Sequence, residues 1–316
     1  MTHFLKAPRS VRILVTSLVM FLFISACMQA RASGPEDTTP RITVISAFAP
    51  ELTILKESLA GKVSEYSLNG VTFTTGNLEG HPVVLFLSGI SVVNAAMTVQ
   101  LALDHFPIER IVFSGIAGGV DPELHIGDVV IADRWGQYLE TVFAREVDGG
   151  WETVPFFEYP YPNFGMMFPR SVTVVRTGDR QPEPRFWFPV DEAELLPAAR
   201  RAAEDVTLAR CTPEGQCLEN TPRILVGGPG VSGGAFIDNK AFREYVFETF
   251  EARVLDMESS AVAHVAYSNQ VPYIAVRSLS DLAGGGGGTN QMETFLNLAA
   301  GNATSVVKAL LRAIPE

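Results

Sequence analysis

The chain has 316 residues, enough for one or two domains with a full hydrophobic core. Hydrophobic residues make up 47% and charged residues 19%, a composition that is typical of a globular protein and excludes a disordered chain. The formal net charge of −11 argues against nucleic acid or an anionic membrane surface as a partner.

Residues 1–32 have the layout of a secretory signal peptide. Three basic residues precede an apolar stretch, Ile13 to Ala26, which is too short for a comfortable membrane span. The sequence allows two cleavage sites for this signal peptide. Cleavage after Ala32 is one, and the other is a lipoprotein box that would make Cys27 a lipidated first residue. Both predict export, either to the bacterial periplasm or envelope or as a secreted protein. Residues 33–40 then form a linker.

From residue 41 onward, apolar strands alternate with amphipathic helices. The predicted strands are 41–47, 71–75, 83–87, 111–113, 128–132, 223–226, 254–257 and 273–279. The predicted helices begin at Pro50 and then cover 92–105, 189–205, 239–250, 258–268 and 292–314. Strands that feed helices predict a three-layer α/β domain with a largely parallel sheet.

Two segments interrupt this alternation. The aromatic- and proline-rich stretch at about 133–190 lacks a regular pattern and is predicted to be an insertion, not a second domain. Cys211 and Cys217 flank a short polar loop. In an oxidising compartment a disulfide is the natural interpretation, since Cys-x5-Cys is not a common zinc spacing.

Acidic residues follow several of the predicted strands, where ligands bind in such folds. The candidates are Glu51, Asp256 with Glu258, and Asp281, together with the predicted glycine turn Gly115–Gly119. Each acid alone could instead favour a helix dipole or brace a loop. The chain has no HExxH, no Cys/His cluster and no GxSxG, and its five-glycine run is not a Walker loop, so no metal or cofactor is predicted.

Two segments carry a family resemblance. VLDMESSAVA at 254–263 and VRSLSDLA at 276–283 resemble the signature pair of the nucleoside phosphorylase/nucleosidase superfamily, closest to the methylthioadenosine/S-adenosylhomocysteine nucleosidases. Further motifs in family order are SAFAPEL at 46–52, LSGI at 87–90, GIAGG at 115–119, GDVVIA at 127–132 and SGGAFI at 232–237. The resemblance implies one phosphorylase/hydrolase-like domain over 41–316, with three layers and a central mixed, largely parallel sheet. The chain is also similar to plant bark-storage proteins.

The resemblance implies three catalytic carboxylates for cleaving an N-glycosidic bond. Asp281 matches the acid that protonates the departing purine, Glu258 the group at the ribose hydroxyls, and Glu51 the base that activates water. Residues matching substrate-binding positions are Met257, Phe236, Ile237, Ile116, Ala117 and Gly118, with Arg277 and Ser280 matching positions that brace the acid.

Two positions that differ from the family pattern indicate whether water or phosphate attacks the sugar. The phosphorylases keep an Arg and a Ser where this chain has Phe113 and Ile116, and apolar side chains cannot replace a charge-assisted phosphate contact. The sequence therefore predicts an exported nucleosidase, a homo-oligomer by resemblance, whose partner is a purine or 5′-thio nucleoside. A nucleoside phosphorylase and a non-catalytic nucleoside-binding or storage-type protein remain alternatives.

Overall fold

The computed structural model describes residues 38–47 and 49–315, so the predicted signal peptide and most of the predicted linker lie outside the described residues. The helices are α1 (Ala49–Glu57), α2 (Val92–His105), α3 (Leu195–Asp205), α4 (Lys240–Phe250), α5 (Ser259–Asn269) and α6 (Met292–Ala313). The strands are β1 (Arg41–Ser46), β2 (Ala60–Leu68), β3 (Val71–Leu78), β4 (His81–Leu87), β5 (Ile108–Gly119), β6 (Val129–Ile131), β7 (Arg134–Gly136), β8 (Thr141–Phe143), β9 (Arg145–Val147), β10 (Gly150–Glu152), β11 (Met167–Pro169), β12 (Val172–Val174), β13 (Glu183–Arg185), β14 (Trp187–Pro189), β15 (Ile224–Val226), β16 (Pro229–Ser232), β17 (Val254–Asp256) and β18 (Tyr273–Asp281).

A large mixed sheet forms the centre of the domain, as the sequence predicts. Its main path runs β14-β7-β16-β17-β5-β1-β4-β3-β2, and β18, β6 and β15 branch from β5. The strands β4, β1, β5 and β18 pair in parallel, whereas β2, β3 and β4 pair antiparallel. The parallel strands are almost wholly buried, because helices cover both faces of such a sheet.

The Asn69-Gly70 pair, a typical hairpin dipeptide, forms a turn with φ of 49° and 82° and joins β2 to β3. Strand β2 was not predicted. Its residues are mostly polar and exposed, so they give no apolar run for sequence patterns to detect.

Two predicted boundaries are wrong. The segment Gly115–Gly119 is not a turn but the last part of β5, which pairs with β18 along its length. Helix α3 begins at Leu195 and not at residue 189, because Trp187–Pro189 pairs with Arg134–Gly136 at the sheet edge.

The insertion at about 133–190 is built from short antiparallel ribbons, β8 with β11, β9 with β10, and β12 with β13. Its aromatic side chains pack against α4: the rings of Tyr161 and Phe186 lie 5.0 and 5.4 Å from the ring of Phe250. Trp187 Nε1 donates to Tyr161 Oη at 2.7 Å. These aromatic contacts attach the insertion to the main domain.

Within residues 38–47 and 49–315, no helix is both long enough and apolar enough to cross a membrane.

Candidate active site

A cavity lies where β5, β17 and β18 end beside α1 and α5. Its lining residues are Ala47, Glu51, Ile90, Ile116, Ala117, Gly118, Ala235, Phe236, Ile237, Leu255, Asp256, Met257, Glu258, Ser280, Asp281 and Met292. Every predicted catalytic or substrate-binding residue lines this cavity except Arg277.

Glu51 is fully buried in the first turn of α1. Its Oε2 accepts a hydrogen bond from the backbone N–H of Ala47 at 3.0 Å, and its Oε1 accepts one from the N–H of Ile116 at 3.0 Å. The carboxylate therefore joins the end of β1 to β5. An acid that only interacts with the helix dipole would be exposed at the helix start, whereas Glu51 is buried and bonded to two backbone N–H groups.

Asp281 ends β18 and is buried. Its Oδ1 accepts from the N–H of Ala283 at 2.8 Å, and its Oδ2 accepts from Ser280 Oγ at 3.0 Å. Burial raises the pKa of Asp281, although these two hydrogen bonds oppose the rise. A carboxyl group with a raised pKa keeps more of its proton near neutral pH, as a general acid must.

Strand β5 separates the two carboxylates. Ile116 N–H touches Glu51, and a Cβ built on Gly118 would lie 3.2 Å from Asp281 Oδ1. The two carboxylates therefore contact β5 two residues apart, on either side of Ala117.

Glu258 directly precedes α5, is buried and lines the cavity. Its Oε1 accepts from the backbone N–H of Ser91 at 2.8 Å. Burial, followed by the nearby carboxylate of Asp256, raises the pKa of Glu258 to about 7, while Arg277 and the Ser91 N–H oppose the rise. Glu258 thus changes charge close to neutral pH.

Arg277 does not brace Asp281, and that prediction is wrong. The guanidinium is fully buried and pairs with Asp256, with 2.7 Å between Nε and Oδ2. It also lies 3.9 Å from Glu258 Oε2 and stacks 3.9 Å from the ring centre of Phe113. Arg277 therefore neutralises the acids at the β17–α5 junction, on the Glu258 side of the cavity.

Asp256 organises that junction. Its Oδ1 accepts from the N–H groups of Glu258 and Ser259, both at 3.1 Å, and from Ser232 Oγ at 2.5 Å. The side chain caps the start of α5 and aims Glu258 into the cavity.

Sequence patterns missed several parts of the cavity. The backbone N–H groups of Ala47 and Ser91 hold the two glutamates, and no side-chain motif reports a backbone donor. Ile90 and Met292 add apolar lining. His264 lies outside the cavity, stacked on Phe188 at 4.7 Å, as expected for a core histidine.

Two further features concern metals and cysteines. Among the described side chains, no group of three His, Cys, Asp or Glu residues is arranged to hold a metal ion. Cys211 and Cys217 are joined by a disulfide bond and do not line the cavity.

Comparison with known proteins identifies the family of the chain. The model of the phosphorylase superfamily matches residues 41–312. A 5′-methylthioadenosine/S-adenosylhomocysteine nucleosidase of Mycobacterium bovis is 29% identical over 277 residues, covering 87% of this chain and 96% of the relative. A nucleosidase of the same name from Tolumonas auensis is 30% identical over 273 residues, covering 86% of this chain and 99% of the relative.

A solved structure shows the same fold. The methylthioadenosine/S-adenosylhomocysteine nucleosidase of Colwellia psychrerythraea, in complex with adenine, matches with a TM-score of 0.64 and 25% identity. The match covers 88% of this chain and 96% of that structure. From the family model and these relatives, the chain belongs to the phosphorylase superfamily and is an N-glycosyl hydrolase of the nucleosidase kind.

Proposed function

We propose that the protein hydrolyses the bond between purine and sugar in nucleosides, with 5′-thio nucleosides such as methylthioadenosine as the first candidates. The observation that carries the proposal is the pair of buried carboxylates, Glu51 and Asp281, which line one cavity and contact β5 at Ile116 and Gly118. We call the region around Glu51 and Glu258 the sugar end of the cavity, and the region around Asp281 and Phe236 the base end.

The proposed reaction uses the two carboxyl groups at opposite ends. Asp281, whose pKa is raised by burial, donates a proton to N7 of the purine as the glycosidic bond breaks. The electron pair of that bond leaves with the base, and positive charge develops on the sugar. Glu51 takes a proton from the attacking water on the other face of the sugar. Free base and free sugar are the products.

Glu258 has a separate role at the sugar end. Its ionised carboxylate accepts hydrogen bonds from the sugar hydroxyls and stabilises the positive charge of the transition state. The Ser91 N–H at 2.8 Å and the Arg277 guanidinium at 3.9 Å favour that ionised form. Because no step needs a metal or an organic cofactor, we propose that neither takes part.

The charges of the cavity favour water over phosphate. Among the described residues that line it, four are carboxylates, Glu51, Asp256, Glu258 and Asp281, and none is Lys or Arg. A phosphate dianion would meet four acids with no cation to hold it. The apolar side chains of Ile90 and Ile116 at the sugar end suit an uncharged, apolar 5′ substituent.

Release of free base tests the proposal. Purified protein is incubated in phosphate-free buffer with methylthioadenosine, S-adenosylhomocysteine, adenosine, inosine and guanosine, and the base is quantified by chromatography. We expect release from at least the methylthio nucleoside, and none from the Asp281→Asn variant within the same time. Release that requires phosphate would establish a phosphorylase, and tight nucleobase binding without any release would establish a binding protein.

We also propose that the protein acts as a homo-oligomer. Ile90, which lines the cavity, and Val93 and Met97, which lie four residues apart on α2, are 55%, 67% and 65% exposed. An apolar patch at this place suits a second copy of the chain. Sedimentation analysis of the wild type and a Val93→Glu/Met97→Glu variant tests this: a monomer in both would contradict it.

Export is proposed on the sequence of residues 1–32. Cell fractionation should find the full chain outside the cytoplasm. Mass spectrometry of its first residue separates a lipidated Cys27 from cleavage after Ala32, and an uncleaved cytoplasmic chain would contradict both.

A further inference from the structure

A second, larger cavity lies against the base end of the first. Its lining residues are His125, Ile126, Cys217, Leu218, Glu219, Asn220, Asp238, Asp281, Leu282, Gly284, Gly286, Gly287, Gly288, Thr289, Asn290, Gln291 and Phe295. The proposed reaction uses none of these except Asp281. The cavity has no assigned role.

The wall between the two cavities is one residue thick at three places. Ile237 lines the first cavity and its neighbour Asp238 lines the second. Met292 lines the first cavity and its neighbour Gln291 lines the second, while Asp281 lines both. None of the sugar-end residues lines the second cavity, so it adjoins only the end where the purine is proposed to bind.

The wall is also held weakly. Asp238 Oδ1 accepts from Asn290 Nδ2 at 3.1 Å, and both side chains are exposed. A Cβ built on Gly286, Gly287 or Gly288 would meet no atom within 4 Å. This glycine segment can therefore shift at little cost in packing.

The chemistry of the second cavity selects its occupant. Ile126, Leu218 and Phe295 belong to one apolar cluster and give the cavity an apolar floor. Its ionisable lining consists of Glu219, Asp238, Asp281 and His125, with no Lys or Arg among the described residues. An anionic group would be repelled, whereas a neutral apolar group carried on an N–H donor matches both floor and rim.

We propose that the second cavity is a base-side subsite that admits purine nucleosides carrying a neutral, largely apolar substituent on the 6-amino group. The inference rests on the proposed function, which places purine N7 at Asp281. The 6-position neighbours N7 on the same edge of the purine, so a substituent there points past Asp281 and into the second cavity. The 6-amino N–H remains available to the carboxylates of the wall.

The test compares methylthioadenosine with its N6-benzyl derivative on the full chain. We expect the two kcat/KM values to agree within about tenfold, because the benzyl group has an apolar site to enter. An N6-carboxymethyl derivative serves as the anionic control and should be a much poorer substrate. Cleavage of methylthioadenosine with no cleavage of the N6-benzyl compound would overturn the inference and leave the proposed function intact.

Variants at Gly287 locate the substituent. Gly287→Trp places a large side chain at the rim of the second cavity, and Gly287→Ala is the matched control for the backbone. We expect the ratio of the N6-benzyl to the unsubstituted kcat/KM to fall about tenfold or more in Gly287→Trp and to stay unchanged in Gly287→Ala. An unchanged ratio in both variants would mean that the substituent lies elsewhere, and would also overturn the inference.

A binding measurement keeps the test decisive if neither nucleoside is cleaved, an outcome that would refute the proposed function. Calorimetry then compares adenine with N6-benzyladenine on the same protein. Affinity for N6-benzyladenine equal to or above that for adenine, reduced by Gly287→Trp, supports the subsite. Weaker binding of N6-benzyladenine in the wild type overturns it.

Discussion

The two ends of the candidate active site are built in opposite ways. At the sugar end, Glu51, Glu258 and Arg277 are buried, and each is held by a backbone N–H or an ion pair. At the base end, Phe236 is 54% exposed and the glycine segment beside it makes few contacts. Under the proposed function, the difference places fixed geometry where charge would develop on the sugar, and one buried acid with less constrained neighbours where the base would bind.

Alanine substitutions at two glycines, one at each end of the cavity, test this contrast most severely. A Cβ at Gly115 would lie 1.8 Å from Arg277 Nη1, so Gly115→Ala must displace a buried guanidinium from its ion pair. We expect a loss of about 3–5 kcal/mol in the free energy of unfolding, together with loss of activity. Gly286→Ala at the base end meets no atom within 4 Å and is the matched control. Chemical denaturation of both variants measures the difference, and equal stabilities would break the comparison.

Removal of the charge from Glu51 is the next largest effect. Glu51→Gln keeps the shape of the side chain and an oxygen for the Ala47 or Ile116 N–H, but it cannot take a proton from water. We expect kcat to fall about 10²–10⁴-fold with little change in the fold. Steady-state base release and circular dichroism check this, and a normal kcat would assign the base to another group.

The ionised carboxylate of Glu258 should stabilise the transition state but lower the free energy of unfolding. Its folded pKa of about 7 exceeds the ordinary 4.5, so the folded state binds more protons than the unfolded state between these pH values. Stability is therefore lost as pH rises from about 4.5 to 7 and stays lost above that range. We expect Glu258→Gln to be about 2–3 kcal/mol more stable than the wild type at pH 8, but not at pH 4, and to be poorly active. A variant that is less stable at pH 8 would contradict the assigned ionisation.

The smallest effect concerns Ser91, whose N–H holds Glu258. Its φ of 80° and ψ of 157° lie in a region occupied almost only by glycine. Ser91→Gly should relieve the strain, keep the N–H, and raise the free energy of unfolding by about 1 kcal/mol. Thermal unfolding measures the gain. A loss of stability would show that the hydroxyl contributes more than the strain costs.

Much of the architecture could be predicted because the local patterns agree with the fold. Apolar runs at 41–46, 83–87 and 273–281 become buried parallel strands, and the acids that follow two of them meet at one edge of the sheet. The edge strand β2 escaped prediction because a half-exposed strand carries no apolar run.

The electrostatic pairing of the site could not be predicted from sequence. Arg277 lies four residues before Asp281, a spacing that puts both side chains on one face of a regular strand. The pairing of β18 with β5 shifts register between Leu279 and Asp281, and it places Arg277 opposite Gly115. Its partner Asp256 comes from β17, and only the folded sheet brings the two together. The second cavity likewise depends on distant segments, 125–126, 217–220 and 284–291, whose meeting no local pattern encodes.

The roles of Asp281 as general acid and Glu51 as general base are tested most directly by changing the leaving group of the substrate. Methylthioadenosine needs a proton on its departing base, whereas the 4-nitrophenyl glycoside of 5-methylthioribose releases a stable anion that needs none. We predict that Asp281→Asn lowers kcat about 10²–10⁴-fold on methylthioadenosine but keeps most of the wild-type kcat on the nitrophenyl substrate. Glu51→Gln should have a lowered kcat on both substrates. Equal losses of Asp281→Asn on the two substrates would contradict the assignment of Asp281 as the general acid.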